Sequence, residues 1–200
     1  MLEGIKQLSP SEFAKFYFDF DALPYQVEAL NSPHKNIQLV WGRQTGKSTI
    51  TALRGLNYAT MYDDSTVVIL APKEQQAIRL FRKMKVFITK SVQKHPELRL
   101  TDMIDRETRR VIEWSNGSEI LCYSIADDGN NIRGLTSHLT IIDEVADVQN
   151  PDAWSAINPM SMVTGGGQWL IGTLKGVNNQ FYRIFKEPLF YGFKSYVVPS

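Results

Sequence analysis

Two hundred residues, 43% apolar and 22% charged, are ordinary globular composition and enough chain to bury one large core. The net charge of +1 argues neither for nor against a polyanion partner, so any such reading has to rest on local patches. One cysteine, Cys122, excludes a disulfide within the chain and, with three scattered histidines, speaks against a Cys/His zinc site. No run reaches the ~18–20 apolar residues of a membrane span, and Met1-Leu2-Glu3-Gly4 lacks the basic and apolar segments of a secretory signal. The expectation is a soluble protein of a reducing, intracellular compartment.

Ser9-Pro10-Ser11-Glu12 opens the first predicted helix, with Ser9 or Ser11 as its cap and Pro10 suited to the first turn. Phe13, Phe16, Tyr17 and Phe20 follow at helical spacing and are expected to face the core, with Asp19 and Asp21 ending the segment. Pro24 starts a second helix and puts Tyr25 and Gln26 in its first turn. A glutamine there is ordinarily a solvated residue. Its amide can also donate to and accept from an adenine edge, and an aromatic neighbour can stack on the base.

After a polar turn, residues 37–40 form an apolar strand and residues 48–58 a helix, joined by Trp41-Gly42-Arg43-Gln44-Thr45-Gly46-Lys47. A strand, a short polar loop and a helix opening on Gly-Lys-Ser describe a phosphate-binding loop. Backbone N–H groups from Gly42, Gln44, Thr45 and Gly46 to Ser48 and Thr49 would wrap the phosphates, Lys47 would reach the terminal ones, and the Ser48 hydroxyl would take Mg²⁺. The general pattern asks for glycine where Trp41 stands, and Gly42 comes one residue late. The other reading is a plain turn at Gly46 with a solvated Lys47.

Residues 66–70 read as a strand buried on both faces, and a helix from about Glu74 carries the apolar stripe Ala77, Leu80, Phe81, Met84 and Ile88. Arg79, Arg82, Lys83, Lys85 and Lys90 give that helix a basic face, either solvated or a polyanion contact. Residues 95–105 look irregular. Asn116-Gly117 marks a hairpin between 108–114 and 118–124, with Cys122 as a buried strand residue. A polar loop from Asp127 to Asn131 leads to Ile132-Arg133-Gly134. An apolar strand at 139–142 then ends in Asp143-Glu144. A helix at 150–162, a Gly165-Gly166-Gly167 turn, a strand at 169–173, a helix at 179–186 and a strand at 193–198 complete the reading. The alternation implies an α/β fold: a mostly parallel sheet with helices on both faces and a β-hairpin insertion.

Ligands collect at the carboxyl ends of parallel strands, which would bring the acids after Ile142 beside the loop after Val40. Asp143 would orient Mg²⁺ through its water shell, and Glu144 would act as general base toward the attacking water. Two arginines can stabilise charge on a transferred phosphoryl group: Arg43 in cis within the loop, or Arg133 toward a neighbouring subunit. Alternatively Arg43 anchors the loop by a salt bridge and Arg133 pairs with Asp127 or Asp128. Thr173, at the exit of the strand after the acids, can touch the γ-phosphate or simply end the strand.

As a set, these residues resemble the N-terminal ATPase domain of viral terminase large subunits, the DNA-packaging motors of tailed bacteriophages. The resemblance runs from about Leu23 to Phe185. Leu23-Pro24-Tyr25-Gln26 is similar to the adenine-recognising Q motif. Gly42-Arg43-Gln44-Thr45-Gly46-Lys47-Ser48 is similar to the terminase form of the Walker A loop, which often lacks the first glycine and carries an arginine. Ile141-Ile142-Asp143-Glu144 resembles Walker B with its catalytic glutamate. Ile132-Arg133-Gly134 resembles the signature before it, where some members carry an arginine that acts in trans. Ile171-Gly172-Thr173-Leu174-Lys175-Gly176 resembles the coupling motif, with Leu174 departing from the usual proline.

The resemblance implies a P-loop NTPase fold of the RecA/ASCE type and an ATPase using ATP and Mg²⁺. Its catalytic set would be Lys47, Glu144, Arg43 and Arg133. Double-stranded DNA, a portal protein and a small terminase subunit are the implied partners, in a homo-oligomeric ring in the host cytoplasm that is not carried in the mature virion. Residues 1–36 would be N-terminal helices with the Q motif and 37–200 the core. The family's RNase H-like nuclease domain has no room in these residues, so no nuclease activity is expected. The rival readings are a helicase-like ATPase, which needs a second RecA-like domain, and a non-hydrolysing nucleotide-dependent module, which does not require the Asp143-Glu144 pair.

Overall fold

The computed structural model describes residues 8–98, 100–126 and 128–199. Met1 to Gly4 and Asp127 therefore lie outside the described residues. In chain order the regular elements are α1 (Pro10–Phe18), α2 (Pro24–Leu30), β1 (Ile37–Trp41), α3 (Lys47–Met61), β2 (Thr66–Ala71), α4 (Glu74–Lys94), β3 (Ile104–Glu107), β4 (Val111–Trp114), β5 (Glu119–Ser124), β6 (Leu139–Ile142), α5 (Pro151–Ile157), β7 (Gly167–Gly172), α6 (Gln180–Lys186) and β8 (Lys194–Val198).

The strands make one eight-stranded sheet in the order β3-β4-β5-β2-β6-β7-β1-β8. From β5 to β8 every neighbouring pair is parallel, while β3 and β4 are added antiparallel at the β5 edge. β1, β6 and β7 are buried along their whole length, as parallel strands covered on both faces must be. Their side chains alternate between two cores. Leu39, Trp41, Ile69, Ile141 and Ile171 face α1 to α4, and Val40, Leu70, Ile142 and Leu170 face α5 and α6. Buried Gln38 ties neighbouring elements to β1: its Nε2 donates to Phe181 O at 2.6 Å, and its Oε1 accepts from Ser195 Oγ at 2.7 Å.

Several elements depart from the sequence expectation. Phe16 is 43% exposed, and the core face of α1 is Phe13, Ala14 and Tyr17. Asp19 takes a left-handed φ of 51° and ends the helix, so Phe20 leaves the helical spacing and meets Phe87 edge-on. Ser9 does cap α1, in a capping box with Glu12. Residues 104–107, of which 104 and 105 were expected to be irregular and the other two were unassigned, form β3. Residues 108–110 are a turn and not a strand, because Thr108 Oγ1 accepts from the N–H of both Arg110 and Val111. Pro159 sits where the helix after Pro151 has already tightened into a 3₁₀ turn at Asn158–Ser161. Cys122 is a buried β5 residue whose thiol burial pushes up to about 12, which leaves it an unreactive packing group. Among the described residues, no helix is long and apolar enough to cross a membrane.

Gly167 opens β7 and is not part of the turn, because the backbone before β1 passes against it: a Cβ there would lie 2.3 Å from Lys35 O. Gly167→Ala is therefore expected to destabilise by about 1–3 kcal/mol, measured as a lower midpoint in urea unfolding at unchanged slope.

Candidate active site

β1, β7 and β6 are adjacent and in register, with Val40 opposite Gly172 and Ile142 opposite Leu170. The chain leaves all three at the same sheet edge. The loop 42–46, Thr173 and the acids Asp143 and Glu144 therefore emerge side by side.

The loop is shaped by two left-handed residues, Gln44 at φ 63° and Gly46 at φ 85°. Gly46 is also sterically required, because a Cβ there would meet Gln26 Nε2 at 2.5 Å. The Gly42 N–H is held by Val198 O at 2.8 Å, and Thr45 Oγ1 donates to Gly42 O at 2.8 Å. The N–H groups of residues 43–46 donate to no described residue, and those of Lys47, Ser48 and Thr49 lie in the first turn of α3. The Thr49 N–H is taken by Gly46 O at 2.9 Å, and unpaired amides in a loop that leads into a helix start are groups an anion can bind. Lys47 Nζ donates back to Trp41 O and Gly42 O at 2.5 Å. Burial lowers its pKa, opposed by the charges of Glu144 and Asp143.

Trp41 explains its own departure from the general pattern. Its indole is 1% exposed in the core beneath the loop and meets the Tyr25 ring edge-to-face at 5.0 Å. Tyr25 and Gln26 brace the same loop. Tyr25 OH and Gln26 Nε2 both donate to Thr45 O, at 3.0 and 3.1 Å, and Gln26 Oε1 accepts from Leu23 N at 3.0 Å. The polar atoms expected to face a base are thus engaged with the protein backbone.

At the end of β6 the Asp143 N–H is paired with Leu70 O of β2. Burial, then the charge of Glu144, raises the Asp143 carboxyl to about 6. Glu144 has a left-handed φ of 52°, a strained conformation for a residue with a side chain, and its N–H donates to Asp143 Oδ1 at 3.0 Å. Lys175 donates to Glu144 Oε2 at 3.0 Å and to Asp147 Oδ2 at 2.9 Å. Helix α4 contributes two cations one turn apart. Lys83 Nζ donates to Thr49 Oγ1 at 3.1 Å, and Arg79 lies near enough to Asp143 to favour its ionised form.

Arg43 is exposed, makes no ion pair among the described residues, and lies close enough to Lys47 to oppose its charge. Arg133 is exposed and held by Asn130 Oδ1 at 2.8 Å and Ser155 Oγ at 3.3 Å. The Asp128 carboxylate is taken by Asn130 and is not Arg133's partner. Thr173 follows β7 directly and is half-buried. Ser48 and Asp143 both offer oxygen donors at this edge.

Sequence reasoning left Lys175, Arg79 and Lys83 without a role here. The basic face of α4 divides: Arg79 and Lys83 turn to the site, while Lys85 pairs with Glu107 at 3.0 Å. The i, i+4 spacing of Arg79 and Lys83 was the available signal. Lys175 had none, since its loop reaches Glu144 only in the folded chain.

Residues 39–190 match the family described as terminase large subunit, T4likevirus-type, N-terminal. The chain belongs to this family. The match contains the loop, both acids and Thr173. A terminase large subunit from Thermus phage G20c is 30% identical in an alignment of 194 positions that covers 90% of this chain and 39% of that protein. The chain thus spans well under half the length of that relative. The ATPase domain of the Thermus phage P74-26 large terminase has the same fold, with a TM-score of 0.76 at 23% identity over 96% of this chain and 86% of that one. A large terminase from a thermophilic bacteriophage, solved in complex with ADP, aligns with a TM-score of 0.64 at 12% identity over 98% of this chain and 44% of that one. This chain's mostly parallel eight-stranded sheet with helices on both faces is therefore the fold of the terminase ATPase domain it aligns with.

Two outcomes follow from this geometry. Trp41→Gly, which restores the general loop pattern, removes a buried indole and is expected to cost about 3–5 kcal/mol in urea unfolding. Asp143 holds its proton to about pH 6 when folded, against 3.8 for an ordinary aspartate, so its contribution to stability is lost as pH rises through that window. Without nucleotide and with a chelator present, Asp143→Asn should therefore melt above the parent at pH 8 and level with it near pH 4.

Proposed function

We propose that this terminase chain is an ATP-hydrolysing motor domain that, in the assembled packaging motor, drives double-stranded DNA into a procapsid. The observation that carries the reading is one sheet edge holding both Lys47, at a helix start beside unpaired loop N–H groups, and the Asp143-Glu144 pair. We read residues 1–36 as N-terminal helices and 37–200 as the catalytic core of one unit.

In this reading the loop amides and the α3 N-terminus bind the phosphates. Lys47 exchanges its bonds to Trp41 O and Gly42 O for the terminal phosphates. Ser48 and Asp143 supply hard oxygen donors of the kind Mg²⁺ prefers, and Mg²⁺ bound there would neutralise phosphate charge. Glu144 takes the proton of the attacking water. To do so it must leave Lys175, which holds its carboxylate at 3.0 Å. Arg43, exposed on the loop without an ion pair, stabilises the transferred phosphoryl group in cis, and Arg133 serves a neighbouring copy in a ring. Thr173, between the loop and the acids, reports the γ-phosphate. To read adenine, Gln26 and Tyr25 exchange their bonds to Leu23 N and Thr45 O for the base. Catalysis is positioning and electrostatic stabilisation, as phosphoryl transfer demands. The portal protein and a small terminase subunit are the partners, in the host cytoplasm.

Phosphate release, measured with and without double-stranded DNA and portal protein, tests the reading. Lys47→Ala and Glu144→Ala should each abolish turnover, with Glu144→Ala still binding nucleotide. Lys175→Ala should turn over at least as fast as the parent, because it frees the base. Normal turnover by either of the first two variants would sink the assignment. Stimulation by DNA that does not need portal would favour a helicase-like ATPase.

A further inference from the structure

The opposite edge of the sheet holds a charge that nothing in the nucleotide site accounts for. Arg54 lies in the middle of α3, and its guanidinium turns toward the amino ends of the strands. It sits between two cavities. One, of about 370 Å³, is lined by His34 and Lys35 before β1, by Tyr58 and Tyr62 of the α3 end, and by Trp169 with the glycine turn that leads into β7. The other, of about 230 Å³, is reached past Asn57.

Within this setting, among the described residues, Arg54 has cationic and neutral neighbours but no anion. Its Nη1 donates to Asn57 Oδ1 at 3.0 Å, and its Nε is shut off from solvent with no hydrogen-bond partner. The guanidinium carbon lies 5.6 Å from the Tyr58 ring centre and 5.8 Å from that of Trp169. These contacts are favourable but supply no negative charge. No carboxylate is among the residues lining either cavity, and Arg54 makes no salt bridge with any described residue. Burial lowers its pKa, and the only charges that oppose that shift are those of Tyr62 and Tyr58. Arginine does not escape by losing its proton, so a half-buried guanidinium with its Nε shut off from water and no described counter-ion is costly to the fold. Lys35 adds a second cation at the rim, its Nζ on Gly165 O at 2.8 Å.

We propose that the cavity at Arg54 is a second binding site, for a small phosphate-bearing anion. A phosphoryl group brings nearly two charges and three acceptor oxygens. It can take donors from Arg54, Lys35 and His34, which line the same cavity together with Tyr58 and Tyr62. The chemistry is shared by inorganic phosphate and by the terminal phosphate of a mononucleotide. The site is independent of the reading of the loop, which lies at the other end of the strands.

The test uses the whole chain carrying Lys47→Ala, so that the loop does not dominate phosphate binding. Inorganic phosphate and adenosine monophosphate are titrated separately, by calorimetry and by thermal melting. A saturable rise in melting temperature is expected with at least one probe. A response to phosphate identifies the free ion as ligand, and a response to the monophosphate alone identifies a nucleotide. Adding Arg54→Met should abolish the response while melting no lower than its parent in phosphate-free buffer, because an unpaired charge has been removed. Lys35→Met, at an exposed position, should weaken binding about tenfold and keeps the test decisive if the Arg54 variant does not fold. No saturable response to either probe, or a response unchanged by both variants, would overturn the proposal.

Discussion

Burial of β1, β7 and β6 on both faces is the constraint on which the site depends. A strand covered on both sides cannot slip by one residue without sending every side chain to the wrong core. Leu39 and Ile141 face one layer of helices, and Val40 and Ile142 the other. That alternation locks the register of Val40 against Gly172 and of Ile142 against Leu170. The register in turn sets where the three chain exits stand relative to one another. Loop, hydroxyl and acids are neighbours because the strands beneath them cannot move.

The loop itself is supported from below by aromatic and amide groups. Trp41 fills the core, Tyr25 packs on Trp41, and both Tyr25 and Gln26 hold Thr45 O. This scaffold leaves the loop N–H groups facing outward and lets a bulky residue stand where a glycine is usual. The loop's own conformation needs a left-handed residue at Gly46, and it accommodates Trp41 in the core beneath.

Charge at the two ends of the sheet is handled differently. At the loop end, cations and acids are interleaved: Lys47, Arg79 and Lys83 surround Asp143, and Lys175 holds Glu144. Each charged group there has an opposite charge nearby, so the cluster can exchange partners without leaving any group unpaired. At the other end Arg54 has aromatic and amide neighbours and no acid. No acid among the described residues supplies the opposite charge there, which is the observation behind the proposed second anion site.

Much of this could be read from residue order alone. The β-branched and apolar runs at β1, β2, β6 and β7 are each short and bounded by polar residues, so their period and length identify them as buried parallel strands. Gly46-Lys47-Ser48 and Asp143-Glu144 carry their chemistry in adjacent residues, and the family pattern around them is local too. What depended on tertiary structure involves groups distant in sequence. The fate of Phe20 was decided by the left-handed stop at Asp19, and that of residues 104–107 by an available sheet edge beside β4. The amides of Gln26, the reach of Lys175 to Glu144 and the split of the α4 basic face all depend on which loops meet. Arg54 reads in sequence as one more helical cation. Only packing shows that it lies against Trp169 without a counter-ion, because burial and pairing are properties of the folded neighbourhood and not of the residue.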